Sequence, residues 1–508
     1  MPDTYRLRTD AIMKPGTSRN TVILCAVLAS LGATATAAPR TSAGLETHAG
    51  ALVPTDSRIA ELRQHIVTRM AQTGTAAVSV AVASKGKIIW EEGFGWADRE
   101  RRIPATQHTM YSLASVTKPM AMTGLMVLVE RGLIDLDRPI NDYLGDAKLQ
   151  ARVGDARDAT VRRVASHTAG LPTHSQFFFE DEPYPLPSMD ETILRYGILI
   201  SAPGERSHYS NLGYGLLGYS IERVSGRSYA DFMRDEVFLK LGMTHTSVNI
   251  GPGLEDYQAI RYEGDGKRIP FYRIPTPGSG DVYSSAHDMA LFGMLHLKHR
   301  PPGQAHVLSD ASVDELARIP GLISKYGGMP GVATVLQVVP SADMAIVVLA
   351  NNSWFAPKDR RIKVDEIANR IQQTLAPQAK DNLLPPPPKQ PPAPVATLAG
   401  TWQGIVHTYL RDLPLTFEIL SSGAVKVKLD DQPATLLDGA RLEGGWLSGT
   451  STGDIGTPDA NRNWPYRFRF GLKQRGDVLN GGLEVDSELL HPPRGETLTY
   501  WVELRRKR

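Results

Sequence analysis

Cysteine is nearly absent from this chain: Cys25 is the only one in 508 residues. Beyond residue 25 the chain has no disulfides and no thiol chemistry. Charge surplus is also absent, with 56 Lys and Arg against 54 Asp and Glu. The resulting +2 lies within residues 1–38, where Arg6, Arg8, Lys14 and Arg19 outnumber Asp3 and Asp10, so the remainder is formally neutral. A neutral body argues against nucleic acid or an anionic membrane as the main partner. No His, Cys, Asp and Glu cluster has metal-ligand spacing, so neither metal nor cofactor is expected. No internal repeat stands out. At 42% hydrophobic and 22% charged, the composition is that of a globular protein long enough for two or three cores.

The apolar run "TVILCAVLASLGA" (21–33) is short of the roughly 20 residues that span a bilayer. Arg19 precedes it, and small residues at Ala35 and Ala37 follow, which is the grammar of an export signal over residues 1–38. Cys25 follows Leu24 rather than a small residue, so lipoprotein processing is not expected. The expectation is a periplasmic or secreted protein that meets the membrane only through its signal.

Residues 76–98 alternate apolar and polar around Lys85-Gly86-Lys87, a β-hairpin pattern. "TKPMAMTGLMVLVERG" (117–132) is apolar nearly all round and reads as a buried helix, and residues 211–226 as another with a glycine stop. Strand patterns return at 332–340 and 344–351, followed by an amphipathic helix at 363–375. Strands at both ends with helices between predict an α/β fold, one antiparallel sheet flanked by helices with an inserted helical subdomain. This domain is placed at 39–380. Residues 381–395 are a stiff proline-rich linker, and 396–508, with short alternating runs, a small β-barrel.

The chemistry centres on "SLASVTKPM" (112–120). Ser115 and Lys118, three apart at a helix start, share one face. A serine hydroxyl needs a base to become a nucleophile, and a desolvated amine near another cation can serve. The helix N-terminus would aim N–H groups at a developing oxyanion. Taken alone, the pair reads equally as a capping serine with a snorkelling lysine. Two other motifs fail on context. "GYGLLG" (213–218) has dinucleotide-loop glycines but follows a polar loop and lies inside a helix. "GTSTG" (449–453) fits the nucleophile-elbow pattern but lies among short strands, and Ser451 reads as a turn residue.

The wider pattern resolves the pair. Residues 93–144 around Ser115 and Lys118, "VRRVASHTAGLP" (161–172), "PGERSHYSNLGYGLLGYSIERVSGRSYADFM" (203–233), "GSGDVYSSAHDMALFG" (278–293) and residues 325–351 occur in order. Together they resemble the serine hydrolases of the β-lactamase family, in its class C β-lactamase, esterase and penicillin-binding-protein-like branch, over roughly residues 60–375. The resemblance implies a transpeptidase-like fold with Ser115 as the acylated nucleophile and Lys118 sharing its proton. Tyr209 would act as base or proton shuttle, its phenol lowered by two nearby lysines, and Asn211 would bond Lys118 or the substrate. Lys325, Tyr326 and Gly327 stand at the family's Lys-Thr-Gly strand, where many esterase-like members carry His first. The N–H groups of Ser115 and Gly328 would form the oxyanion hole. Which group takes the serine proton stays open, and His167 and His208 are expected to be structural. "LAGTWQG" (398–404) resembles the start of lipocalin-like barrels, which would be structural or hold one small ligand.

The sequence departs from the family pattern at one place. Residues 308–319 run directly into "PGLISKYGG" (320–328), so a strand and loop of roughly thirty residues that relatives carry are missing. The expected function is an exported serine hydrolase acting through an acyl-serine on an ester, amide or β-lactam. Its substrate would be a small molecule or peptidoglycan-like. Lys325 leans toward a substrate carboxylate. The alternative is a catalytically impaired protein that binds cell wall or another ligand.

Overall fold

The computed structural model describes residues 56–379, 392–460, 466–487 and 496–507. The expected export signal and most of the proline-rich linker lie outside these residues. The alternation at 76–98 forms an antiparallel hairpin of β1 (Ala77–Ser84) and β2 (Lys87–Asp98). Lys85 and Gly86 between them both have positive φ, 50° and 72°. This is the mirror-image turn whose twist matches the strands it joins.

β3 (Ile103–Pro104), β4 (Lys325–Met329), β5 (Val332–Val339) and β6 (Met344–Ala350) complete a six-stranded antiparallel sheet in the order β4-β5-β6-β1-β2-β3. β1 lies against β6 from Val78 opposite Ala350 to Ser84 opposite Met344, so one sheet joins both ends of the domain. Helices α1 (Ser57–Thr73) and α5 (Val364–Leu375) cover one face, burying Leu62, Ile66, Ile367 and Ile371 against Val80 and Val348. α2 (Thr117–Glu130), α3 (Asn211–Ser225) and α4 (Ala286–His296) build the other side, with α4 on the sheet and α3 packed on α2. α2 is apolar all round because it is covered all round: twelve of its residues, Lys118 among them, are buried.

β4 pairs with β5 and with no other strand among the described residues, so the sheet ends at the segment the missing strand would have flanked. The chain after β6 folds back over this edge. The Trp354 N–H donates to the Met329 carbonyl at 3.3 Å, and its ring presses on Gly328, where a Cβ would sit 2.4 Å from ring carbons.

The C-terminal module is a ten-stranded antiparallel sheet whose first and last strands in spatial order, Pro392–Ala393 and Thr435–Leu436, are not paired with each other. It is an open, curled half-barrel filled by side chains: Trp402, Phe417, Phe468 and Phe470 are buried, and Phe417 meets Phe470 edge-on at 5.1 Å. Two of its neighbouring strands are β7 (Val478–Asp486) and β8 (Thr497–Arg506). Ser451 lies buried within strand Trp446–Gly453, not in a turn, because the run pairs residue for residue with its neighbour Tyr466–Arg475. Catalytic-side and C-terminal residues fall in one compact unit, Leu45–Arg508. Among the described residues no helix is long and apolar enough to cross a membrane.

Candidate active site

Ser115 sits in a single 3-10 turn, Ala114–Val116, feeding straight into α2. Ala114 holds φ at +47°, a left-handed conformation that alanine adopts only at an energetic cost. The turn is held by close backbone approach. At Gly327 of β4 a Cβ would lie 2.2 Å from the Leu113 carbonyl oxygen and 2.3 Å from Thr334 Oγ1. Thr334 in turn donates to that same carbonyl at 2.7 Å. Glycine at 327 therefore lets β4 press against the serine turn.

One helical turn on, Lys118 is fully buried. Its Nζ lies 2.8 Å from Asn211 Oδ1, 2.8 Å from the Ser279 carbonyl and 3.1 Å from Ser115 Oγ. Burial, reinforced by the charge of Lys325, pushes this amine well below its ordinary pKa. A neutral amine has two N–H bonds and one lone pair. Asn211 Oδ1 and the Ser279 carbonyl oxygen can only accept, so an amine in its neutral form gives them its two N–H bonds and turns its lone pair to Ser115.

Tyr209 approaches from the other side, with its hydroxyl 2.7 Å from Ser115 Oγ. Lys118 Nζ and Lys325 Nζ lie 4.9 and 5.2 Å from its ring centroid. The sequence led us to expect that two lysines would lower this phenol. Instead burial pushes it up to about 12, against a smaller downward pull from Ser115. Tyr209 is therefore a protonated hydroxyl at neutral pH. The Tyr209 side chain as a whole remains partly open to solvent.

Asn211 begins α3, with Ser210 capping the helix through a hydrogen bond from the Gly213 N–H at 2.9 Å. His167 packs against Tyr209 with ring centroids 4.6 Å apart and planes tilted 41°, and its Nδ1 accepts from the Ser210 N–H at 3.2 Å. Burial, then the charges of Lys118, Lys325 and His208, hold His167 down at about 3, so it is neutral. Lys325 opens β4, and burial lowers its amine to about 8. It has no ion-pair partner among the described residues. Tyr326 is exposed. Gly328 shares with Ser115 a cavity of about 70 Å³, walled by Phe177, Ile274, Met329 and Phe355. A hollow of about 590 Å³ on the C-terminal sheet, and one of about 390 Å³ lined both by that sheet and by Ile200, Arg206 and His208, do not touch Ser115, so side-chain chemistry, not size, marks the site.

The structure thus gathers Ser115, Lys118, Tyr209 and Asn211 into one hydrogen-bonded group, with Lys325 and Gly328 at its rim. Sequence reasoning missed Ser279, whose carbonyl holds Lys118, because a backbone acceptor leaves no residue-type signature. It also missed Thr173 and Ser175, which follow directly on the quoted 161–172 segment. Among the described residues, no three or more His, Cys, Asp or Glu are arranged to hold a metal.

Comparison with known proteins gives a consistent result. The Beta-lactamase family model matches residues 62–368, more than half of the chain. Penicillin-binding protein 4* of Bacillus subtilis (strain 168) is 30% identical over 197 residues, which cover 37% of this chain and 42% of that protein. The octameric penicillin-binding protein homologue from Pyrococcus abyssi superposes with a TM-score of 0.52 at 19% identity, covering 87% of this chain and all of that one. A class C beta-lactamase superposes at 0.53 and 18% identity, covering 66% of this chain and all of that one. At these identities the two structures bear on the fold alone.

Proposed function

The chain belongs to the beta-lactamase family, and from that premise we propose that it is an exported serine hydrolase. It forms an acyl intermediate on Ser115 and opens an ester, amide or β-lactam. The observation that carries this reading is Ser115 Oγ held between the buried Lys118 amine at 3.1 Å and the Tyr209 hydroxyl at 2.7 Å.

The two shifts suggest a division of labour. Lys118, its pKa held down by burial, takes the serine proton in its neutral form as Oγ attacks the carbonyl carbon. The developing oxyanion is met by the N–H groups of Ser115 and Gly328, donors of a kind each worth about 10²–10³ in rate. Tyr209, protonated, passes its proton to the leaving group, and the proton that Lys118 took from Ser115 then restores the phenol and leaves the amine neutral again. Water then attacks the acyl carbon by the same route in reverse. Lys325, a cation below about 8 with no carboxylate partner among the described residues, recognises a carboxylate on the substrate, as a peptidoglycan-like fragment would offer. Export rests on the signal-like residues 1–38, and N-terminal sequencing of the secreted form tests it.

Turnover of p-nitrophenyl butyrate by the wild type beside Ser115→Ala tests the central step. Hydrolysis confined to the wild type is expected. Equal hydrolysis by both proteins overturns the assignment.

A further inference from the structure

The C-terminal half-barrel touches the catalytic group at the two residues that flank Asn211 in space. Asn211 is held twice. Its backbone N–H donates to the Thr173 carbonyl at 2.8 Å, and its Nδ2 donates to Ser175 Oγ at 2.8 Å. Both supports are fixed by the C-terminal module. Ser175 is joined to Thr497 of β8 by two backbone hydrogen bonds, of 2.8 and 2.9 Å. Thr173 Oγ1 donates to Glu484 Oε1 of β7 at 2.8 Å, across 311 positions of sequence. His208, next to Tyr209, brings its Nε2 to 3.3 Å from the same carboxylate oxygen and 3.2 Å from Thr173 Oγ1. Arg469 Nη2 stands 3.4 Å from the other carboxylate oxygen.

We infer that Glu484 is a positioning residue of the active site, and that the C-terminal module completes the site by holding Thr173 and Ser175, and through them Asn211 and Lys118. This rests on the hydrolase reading above. A charged acceptor makes stronger hydrogen bonds than a neutral one, and Glu484 spends its bonds on the two segments that carry Thr173 and Tyr209. Asn211 Oδ1 must stay 2.8 Å from Lys118 Nζ for the lysine lone pair to face Ser115. A small rotation of Asn211 redirects that lone pair, which slows proton transfer while leaving substrate binding intact. The predicted signature is therefore a fall in kcat at constant KM.

The experiment compares full-length wild type, Glu484→Ala, Glu484→Gln, Thr173→Val and the double variant Glu484→Ala/Thr173→Val. Steady-state ester hydrolysis is normalised to Ser115 sites titrated with a fluorophosphonate, and each Tm is measured. Glu484→Ala and Thr173→Val should each lower kcat about tenfold with KM within twofold. Glu484→Gln, which keeps an acceptor oxygen, should recover to within about threefold of wild type. The double variant should be little worse than either single one, since both break the same link. If Glu484→Ala does not fold, Thr173→Val carries the test, because it leaves the carboxylate paired with His208 and Arg469. Variants whose Tm falls while kcat per titrated site stays within twofold would overturn the inference and leave the hydrolase reading standing. A wild type with no Ser115-dependent turnover would overturn both.

Discussion

Lys118 carries a conflict whose outcome sets the chemistry. Three acceptors surround its nitrogen, as an ammonium would prefer, yet it is buried, faces no carboxylate in its hydrogen-bonded shell and has Lys325 as a neighbour. Desolvation wins and holds the amine well below its ordinary pKa, which favours it as a base toward Ser115. Replacing Lys118 with Ala should cut kcat/KM by at least about 10², read by steady-state hydrolysis, with KM little changed. Lys325 predicts a second pH effect. Because its amine titrates at about 8, it loses its charge as pH rises through that value. Carboxylated substrates should then show KM rising above about pH 8 while neutral esters do not, and Lys325→Ala should abolish the difference. Equal alkaline limbs for both substrate types would refute this. At this scale Ser115, Lys118, Tyr209 and Asn211 were legible because their spacing and order form a pattern. The raised phenol of Tyr209 was not, because burial is a property of the folded surroundings rather than of the residue and its neighbours in sequence.

The elements that place these residues depend on close approach. β4 lies against the serine turn only because Gly327 has no side chain there, so Gly327→Ala should destabilise the fold by about 1–3 kcal/mol, seen as a lower Tm, and distort the turn enough to lower activity more than tenfold. Gly328 faces the same constraint from Trp354. β7 offers a test by pH. Burial alone would raise Glu484, but His208, Arg469 and Thr173 outweigh it and hold the carboxylate at about 2, below its usual 4.5. A lowered carboxylate stabilises the fold fully above its unfolded value, and that contribution fades as pH falls from about 4.5 toward 2. The Tm gap between wild type and Glu484→Gln should therefore narrow from pH 6 to pH 3. The hairpin, α2, α3 and β5–β6 were readable from periodicity and turn residues. The edge position of β4 was foreshadowed by the missing segment. The fold-back of Trp354 over that edge was not, since it depends on which loop passes nearby.

For the whole molecule, the two modules are a single structural unit in which the later one supports the chemistry of the earlier. Their separate outlines were visible in composition, through the proline-rich stretch and the change to short alternating runs. Their contact was invisible, because residues such as Thr173 and Glu484 are ordinary until the chain folds. The C-terminal module was foreseen as a small β-barrel, either structural or holding one small ligand. In the structure it is an open half-barrel, filled by aromatic side chains and with unpaired edges. Arg475 Nη2 bridges both carboxylate oxygens of Glu205, at 2.7 and 2.6 Å, across this contact. Arg475→Ala should accordingly lower the Tm of the whole chain in a single transition rather than release one module to melt alone, as calorimetry would show. The central claim is that a neutral Lys118 activates Ser115. The most direct measurement is the rate of fluorophosphonate labelling against pH, for wild type and Lys118→Ala, with the adduct mapped by mass spectrometry. A single adduct on Ser115, with an inflection well below 10.5 that disappears in Lys118→Ala, is the predicted result. An adduct elsewhere, or equal rates in both proteins, would contradict the account.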